Sequence, residues 1–220
     1  MGTWLVLLMV LLFAVFFGGL SLVRREPLTI RFAVECLGLT AAAYLIYWIT
    51  GWLVSPVLFL LILYIVTMRA QILIDAGTFV ARRGNFGVAE RFFRAAQRMG
   101  AGDSCKYVAR INIGTCFLKE QRLEESIQVL REIAEDADKG LLGPKHEAAC
   151  RYNLGLALMR SGKTAEAVHQ FNEVEELLPA SMYAVGARAE LKRYRQTVSA
   201  AGGDVPPGSD SDASKPKEEA

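Results

Sequence analysis

Residues 157–164 read ALMRSGKT, a small residue, four free positions and then Gly-Lys-Thr, which satisfies the looser form of a phosphate-binding loop. Such a loop follows a strand and curls glycine-rich backbone so that amide N–H groups face the phosphates. Here the residues before Ser161 have helical periodicity, and the motif's first residue, Ala157, falls inside that helical run. The Gly-Lys-Thr is therefore predicted to be a turn between two helices. Thr164 is expected to cap the second helix, with Ala165, Glu166 and Ala167 as good helix formers behind it. No nucleotide is expected. His146, placed in an irregular loop, and His169, on a helix face, have no nucleophile, carboxylate pair or metal-ligand spacing beside them. The four cysteines, Cys36, Cys105, Cys116 and Cys150, show no CxxC spacing, so neither a zinc site nor a disulfide framework is suggested, and the last three read as buried thiols. No residue is a candidate for catalysis, a metal or a cofactor, and the chain is expected not to be an enzyme. A net charge of +2 leaves no electrostatic footprint for nucleic acid.

With chemistry set aside, the elements themselves carry the information. The 220 residues are 52% hydrophobic, and the excess is concentrated. Up to Met68 the charged residues are Arg24, Arg25, Glu26, Arg31 and Glu35, whereas from Arg69 onward charges recur in almost every turn. The break predicts a membrane domain over residues 1–68 and a water-facing region after it. Residues 4–23 contain 20 uncharged residues, enough to cross a hydrocarbon core of about 30 Å at about 1.5 Å per residue. A cleaved signal peptide would start with basic residues and end at a small-x-small site, and this stretch begins Met-Gly-Thr-Trp and ends SLVRRE.

The second apolar block, residues 32–68, would be about 55 Å long as one helix, nearly twice the core thickness. It is divided by YWITGWLVSP, where Gly51, two interface-favouring tryptophans and the helix-start pair Ser55-Pro56 meet. Two spans, 32–49 and 52–68, follow. The alternative is one span plus a shallow re-entrant piece. Arginines 24, 25 and 31 in the first loop, and 69, 82 and 83 after the last span, place the amino terminus outside and the rest in the cytoplasm.

Three later segments align with one another, starting at Ala70, Tyr107 and Ala148. Counting each start as position 1, position 8 holds Gly77, Gly114 and Gly155. Position 15 holds Gly84, Gln121 and Gly162; position 20 holds Ala89, Ser126 and Ala167; position 24 holds Phe93, Leu130 and Phe171. This pattern resembles the tetratricopeptide repeat, about 34 residues of helix-turn-helix. The third copy is nearest, with Leu154-Gly155, Gly162, Ala167, Phe171 and Pro179. The usual aromatic at position 4 is replaced by Leu73, Arg110 and Arg151, and an insertion around residues 138–146 stretches the second copy. The fold expected is all-α: transmembrane helices followed by a helical solenoid over residues 70–198. The last helix, 181–198, is expected to cover the open end through Met182, Val185 and Ala189. Residues 199–220, with no large hydrophobe after Val205, are expected to be disordered.

The resemblance implies a concave groove lined by the first helix of each repeat, with positions 5, 6, 9 and 13 among those facing it. The candidates for binding a protein or peptide partner are Ile111, Asn112, Tyr152, Asn153 and Leu156, with a basic row of Arg82, Lys119 and Arg160. Cations near a helix end also complement its dipole, so the basic row has two explanations. Membrane lipid is the other partner expected. The groove departs from the carboxylate clamp of similar domains, of which only Asn112 fits. The reading is a membrane-anchored adaptor that holds a protein partner at the cytoplasmic face, most simply of a bacterial inner membrane. The alternative is an assembly subunit that contacts a membrane complex through its spans, an idea favoured by Glu35, since an acid at that depth usually has a partner. From Pro56 to Arg83 no proline and only Gly77 interrupt the pattern, so one continuous helix of about 28 residues, about 42 Å, is predicted to join the two regions.

Overall fold

The computed structural model describes residues 11, 30–50, 55–99 and 103–200. The expected span 4–23 and nearly all of the tail lie outside the described residues. Among these residues the chain is helical throughout: α1 (Ile30–Thr50), α2 (Pro56–Arg82), α3 (Phe86–Arg98), α4 (Asp103–Lys119), α5 (Leu123–Asp138), α6 (Pro144–Arg160), α7 (Thr164–Leu177) and α8 (Met182–Ala200). The chain divides into two compact units, Met1–Asn112 and Ile113–Ala220.

In the first unit, α2 begins at Pro56 behind Ser55, as the Ser-Pro pair predicts. It does not run straight. The continuous helix expected from the sequence is present over Pro56–Arg82, but Val57–Val66 and Met68–Arg82 make an angle of 69°. Neither proline nor glycine sits at the bend, where a side chain meets the backbone instead. The Arg69 guanidinium donates to the Val66 carbonyl, the acceptor that the Ala70 amide would use in a regular α-helix, and an intruding donor of this kind is a recognised source of kinks. The same guanidinium grips the Glu35 carboxylate on α1, with Nη2 to Oε1 at 2.7 Å and Nη1 to Oε2 at 3.0 Å. Glu35 therefore has a partner within its own chain.

Most of the described surface of α1, and of α2 before the bend, is apolar and exposed, including Leu37, Trp48, Val57 and Leu61. The expected spans 32–49 and 52–68 overlap α1 and the start of α2. Among the described residues no single helix is long and apolar enough to cross a membrane by itself. The bent pair Val57–Val66 and Met68–Arg82 meets that test by length and composition when taken together.

After the bend, α2 packs on α3, whose first turn is capped by Asn85 accepting from the Val88 amide at 3.3 Å. Gly77 is where the two helices come closest. A Cβ built there would lie 2.7 Å from Phe93 Cε1. In the second unit the same contact recurs twice, a Cβ on Gly114 falling 2.7 Å from Leu130 Cγ and one on Gly155 falling 2.6 Å from Phe171 Cε1. Positions 8 and 24 thus form one repeated contact in which glycine is required by space, because the large residue on the second helix occupies the room of a side chain. Ser126, standing where the other copies have alanine, is buried and donates to the Gly114 carbonyl at 2.8 Å.

The turns repeat as closely. Gly84, Gln121 and Gly162 have φ of +82°, +63° and +82°. In each, the following amide reaches back five residues: Asn85 to Val80, Arg122 to Phe117 and Lys163 to Leu158, at 3.4, 2.9 and 2.9 Å. The position-15 amides close the inner bond to Ala81, Leu118 and Met159. This is the paired Schellman closure that ends a helix on a left-handed residue. The Gly-Lys-Thr of residues 162–164 is one of these turns. Thr164 is the first residue of α7 and Lys163 is the cap residue, without a side-chain cap bond, so the expected Thr164 cap is off by one. The Lys163 ammonium instead lies 3.3 Å from a Glu124 oxygen. Since both side chains are well exposed, Lys163→Ala is expected to change stability by less than about 0.5 kcal/mol in a thermal melt. Saturable ATP binding that this change abolished would overturn the assignment.

The stretched connection is shorter than predicted. Gly140, at φ +74°, closes α5, Leu142 is buried, and Pro144 already starts α6, which puts His146 on a helix rather than in a loop. At the far end α8 extends to Ala200 and buries Ala184, Ala187 and Leu191, while Met182 and Val185 are exposed. The helix is thus rotated from the predicted face. Its small residues allow a closer approach to α6 and α7 than methionine and valine would.

Candidate functional site

The candidates divide between the two units. In the first, Arg82 is exposed at the end of α2, Asn112 is half-buried, and Ile111 is only 5% exposed. Ile111 is therefore a core residue and not a groove contact. Position 5 turns inward in the first two copies, as Ile74 at 3% exposure also shows, because it lies about 60° of helical arc from the close-packed glycine three residues on.

In the second unit, Tyr152, Asn153, Leu156 and Arg160 fall within about 100° of arc on α6, one face of the helix. All four are at least partly accessible. Asn153 spends one amide N–H on the Ala149 carbonyl at 2.8 Å, within its own helix. Arg160 is exposed and Nη1 reaches the Leu118 carbonyl at 3.3 Å, beside the exposed Lys119. The cations of the expected row therefore meet helix carbonyls in one instance, and Lys119 presents its charge to solvent at the end of α4.

Tyr152 is chiefly a packing residue. Its ring centroid lies 6.0 Å from Phe171 and 5.9 Å from Tyr183, and Gly186 of α8 passes so close that a Cβ there would fall 2.8 Å from the phenol oxygen. Burial, then the nearby Glu190 carboxylate, raises the phenol's pKa above its ordinary value, and Arg193 and Arg160 oppose the shift. Glu190 and Arg193, themselves paired at 2.9 Å, thus join the α6 residues around the phenol. Sequence reasoning treated α8 only as a cover and missed both. The signal available was its Ala184, Gly186 and Ala187, small residues that mark a close approach.

One charge is buried in this unit. Arg151 occupies the position where the repeat usually has an aromatic and is 6% exposed. Its guanidinium bonds to Glu147 at 2.8 Å, to Gln170 at 3.4 Å and to Asp138, joining the end of α5 to α6 and α7. Burial works against its charge, and the hydrogen bonds to Glu147 and Asp138 outweigh burial, raising its pKa above the ordinary arginine value. A cleft of about 240 Å³ opens over it between α5 and α7, lined also by Arg131, Glu135, Glu166 and His169. Arg131 and Glu166 bridge its rim at 2.6 Å. Among the described residues no buried side-chain nitrogen or oxygen lacks a hydrogen-bond partner. Cys116 and Cys150 are buried as expected, the latter donating to the Leu130 carbonyl at 3.2 Å, whereas Cys105 is half-exposed beside Gln71.

The accessible face of α6 thus carries Asn153, Leu156 and Arg160, polar and apolar side chains together. No curated protein and no solved structure matches the chain. The helices α4 to α7, with their two glycine contacts and two Schellman turns, coincide with a family match: residues 106–180 fit the family model of the tetratricopeptide repeat, and this segment is similar to that family of helical protein-interaction scaffolds.

Proposed function

We propose that the protein is a membrane-anchored adaptor whose repeat segment holds a protein partner at the cytoplasmic face of a membrane, most simply a bacterial inner membrane. The observation that carries the reading is the coexistence of a repeat segment similar to tetratricopeptide scaffolds with two helices, α1 and early α2, whose described surfaces are apolar and exposed. Helices of that surface composition are stable when lipid covers them. The partner contacts are assigned to Asn153, Leu156 and Arg160 on α6, with Arg193 on α8, and to Asn112 and Arg82 in the first unit. Tyr152 supports this face from beneath. Glu35, which favoured an assembly subunit, is already paired with Arg69, and that alternative has no other observation behind it.

The test is crosslinking of the tagged full chain in native membranes. Substituting Asn153→Ala, Leu156→Glu and Arg160→Glu together is expected to lower recovery of the crosslinked partner by tenfold or more, with membrane retention and helical content unchanged. Crosslinks that survive the triple change and map to α1 or early α2 would replace this reading with the assembly-subunit one.

A further inference from the structure

Helix α2 carries a second face that its hairpin does not use. Beyond the bend, Ala70, Ile74 and Gly77 are buried. At about 100° per residue, Ile72, Ala76, Phe79 and Arg83 fall together within about 60° of arc on another side. Ile72 and Phe79 are 39% and 56% exposed, and the Arg83 guanidinium lies over the Phe79 ring, 4.2 Å from its centroid. The exposed Arg82 adjoins them. The stripe continues upstream of the bend at the same helical spacing through Leu58, Leu61 and Ile65, all exposed. The one acid of α2, Asp75, accepts from Gln71 at 3.2 Å.

The outer face of a terminal repeat is ordinarily polar, since no further repeat covers it. An exposed phenylalanine and isoleucine there, flanked by arginines and continuous with an apolar surface, call for a cover that is apolar and anionic at once. A lipid headgroup region has both properties: rings and aliphatic chains enter the acyl boundary while arginines reach the phosphates. The 69° bend suits that placement, because it turns the segment after Val66 sharply away from the direction of the apolar segment before it.

We propose that the Ile72, Phe79 and Arg83 face of α2 rests on the anionic surface of the bilayer, so that the first hairpin lies along the membrane rather than standing off it. The proposal rests on the membrane reading above, and the experiment separates the two. Benzoylphenylalanine is placed at position 61, 79 or 128 of the full chain, which is reconstituted into vesicles of phosphatidylcholine and phosphatidylglycerol and irradiated, and the adducts are identified by mass spectrometry. Positions 61 and 79 are expected to give lipid adducts, while position 128, exposed on α5, gives none. Arg83→Gln is expected to reduce the yield at position 79 about fivefold, the size of one cation's attraction to an anionic surface, and to leave position 61 unchanged. Lipid adducts at 61 with none at 79, or protein adducts at 79, would overturn the proposal and leave the membrane reading standing. The absence of lipid adducts at both positions would overturn both.

Discussion

Phe171→Ala is expected to destabilise the chain by about 3–5 kcal/mol, a large part of the roughly 5–15 kcal/mol that holds a typical domain folded. The ring is fully buried, and it fills the space that Gly155 leaves by lacking a Cβ, so its loss opens a cavity that α6 and α7 cannot close by small shifts. Gly155→Ala acts from the opposite side. Its Cβ would land 2.6 Å from Phe171 Cε1, and overpacking of this kind costs about 1–3 kcal/mol. The two positions share one contact, so Gly155→Ala combined with Phe171→Leu should cost at least about 0.5 kcal/mol less than the sum of the single changes. Urea unfolding followed by circular dichroism in detergent micelles measures all three variants. A neutral Gly155→Ala would mean that the helices separate freely and that glycine is not required at this contact.

The second large effect belongs to Arg151. Truncation to alanine strands Glu147, whose side chain is 17% exposed, and releases Asp138, which is 62% exposed. Breaking a buried pair costs about 3–5 kcal/mol, and the exposure of Asp138 puts the expected value near the lower end, about 3 kcal/mol. Arg151→Lys should recover little, because one ammonium lacks the planar fork that reaches three acceptors on three helices. Arg151→Ala with Glu147→Ala should cost less than Arg151→Ala alone, since no acid is then left stranded. The same unfolding measurement applies, and a change below about 0.5 kcal/mol for Arg151→Ala would reduce the network to an ordinary surface pair.

These residues also show what was legible beforehand. The glycines at 77, 114 and 155 stood 16 residues before Phe93, Leu130 and Phe171, and local spacing of that kind survives translation into structure because one hairpin contains both partners. The bend of α2 was not legible. It lies where Arg69 meets Glu35, 34 residues away, and no proline or glycine announces it. The face of α8 was misread for a different reason. Met182 and Val185 form a more hydrophobic stripe than Ala184, Ala187 and Leu191, yet proximity to Gly186 and Tyr152 selects the smaller one. Ile111 and Tyr152 share position 5, but the aromatic at Tyr152 reaches α8 and keeps an accessible edge, whereas the isoleucine is withdrawn. Among the candidates, the α6 residues were readable from helical phase, and the charges Glu190 and Arg193 were not, because they arrive from a helix outside the repeat pattern.

Gln121 holds the left-handed turn conformation that glycine holds in the other two hairpins. An L-residue in that region sits about 1–2 kcal/mol above its relaxed backbone, a cost the glycines at 84 and 162 do not carry. In the language of native-state motion, this is the turn of lowest local stability among the three. Its amides, from Glu120 to Arg122, should exchange with deuterium ahead of their counterparts at residues 83–85 and 161–163, making the middle hairpin the one that opens first.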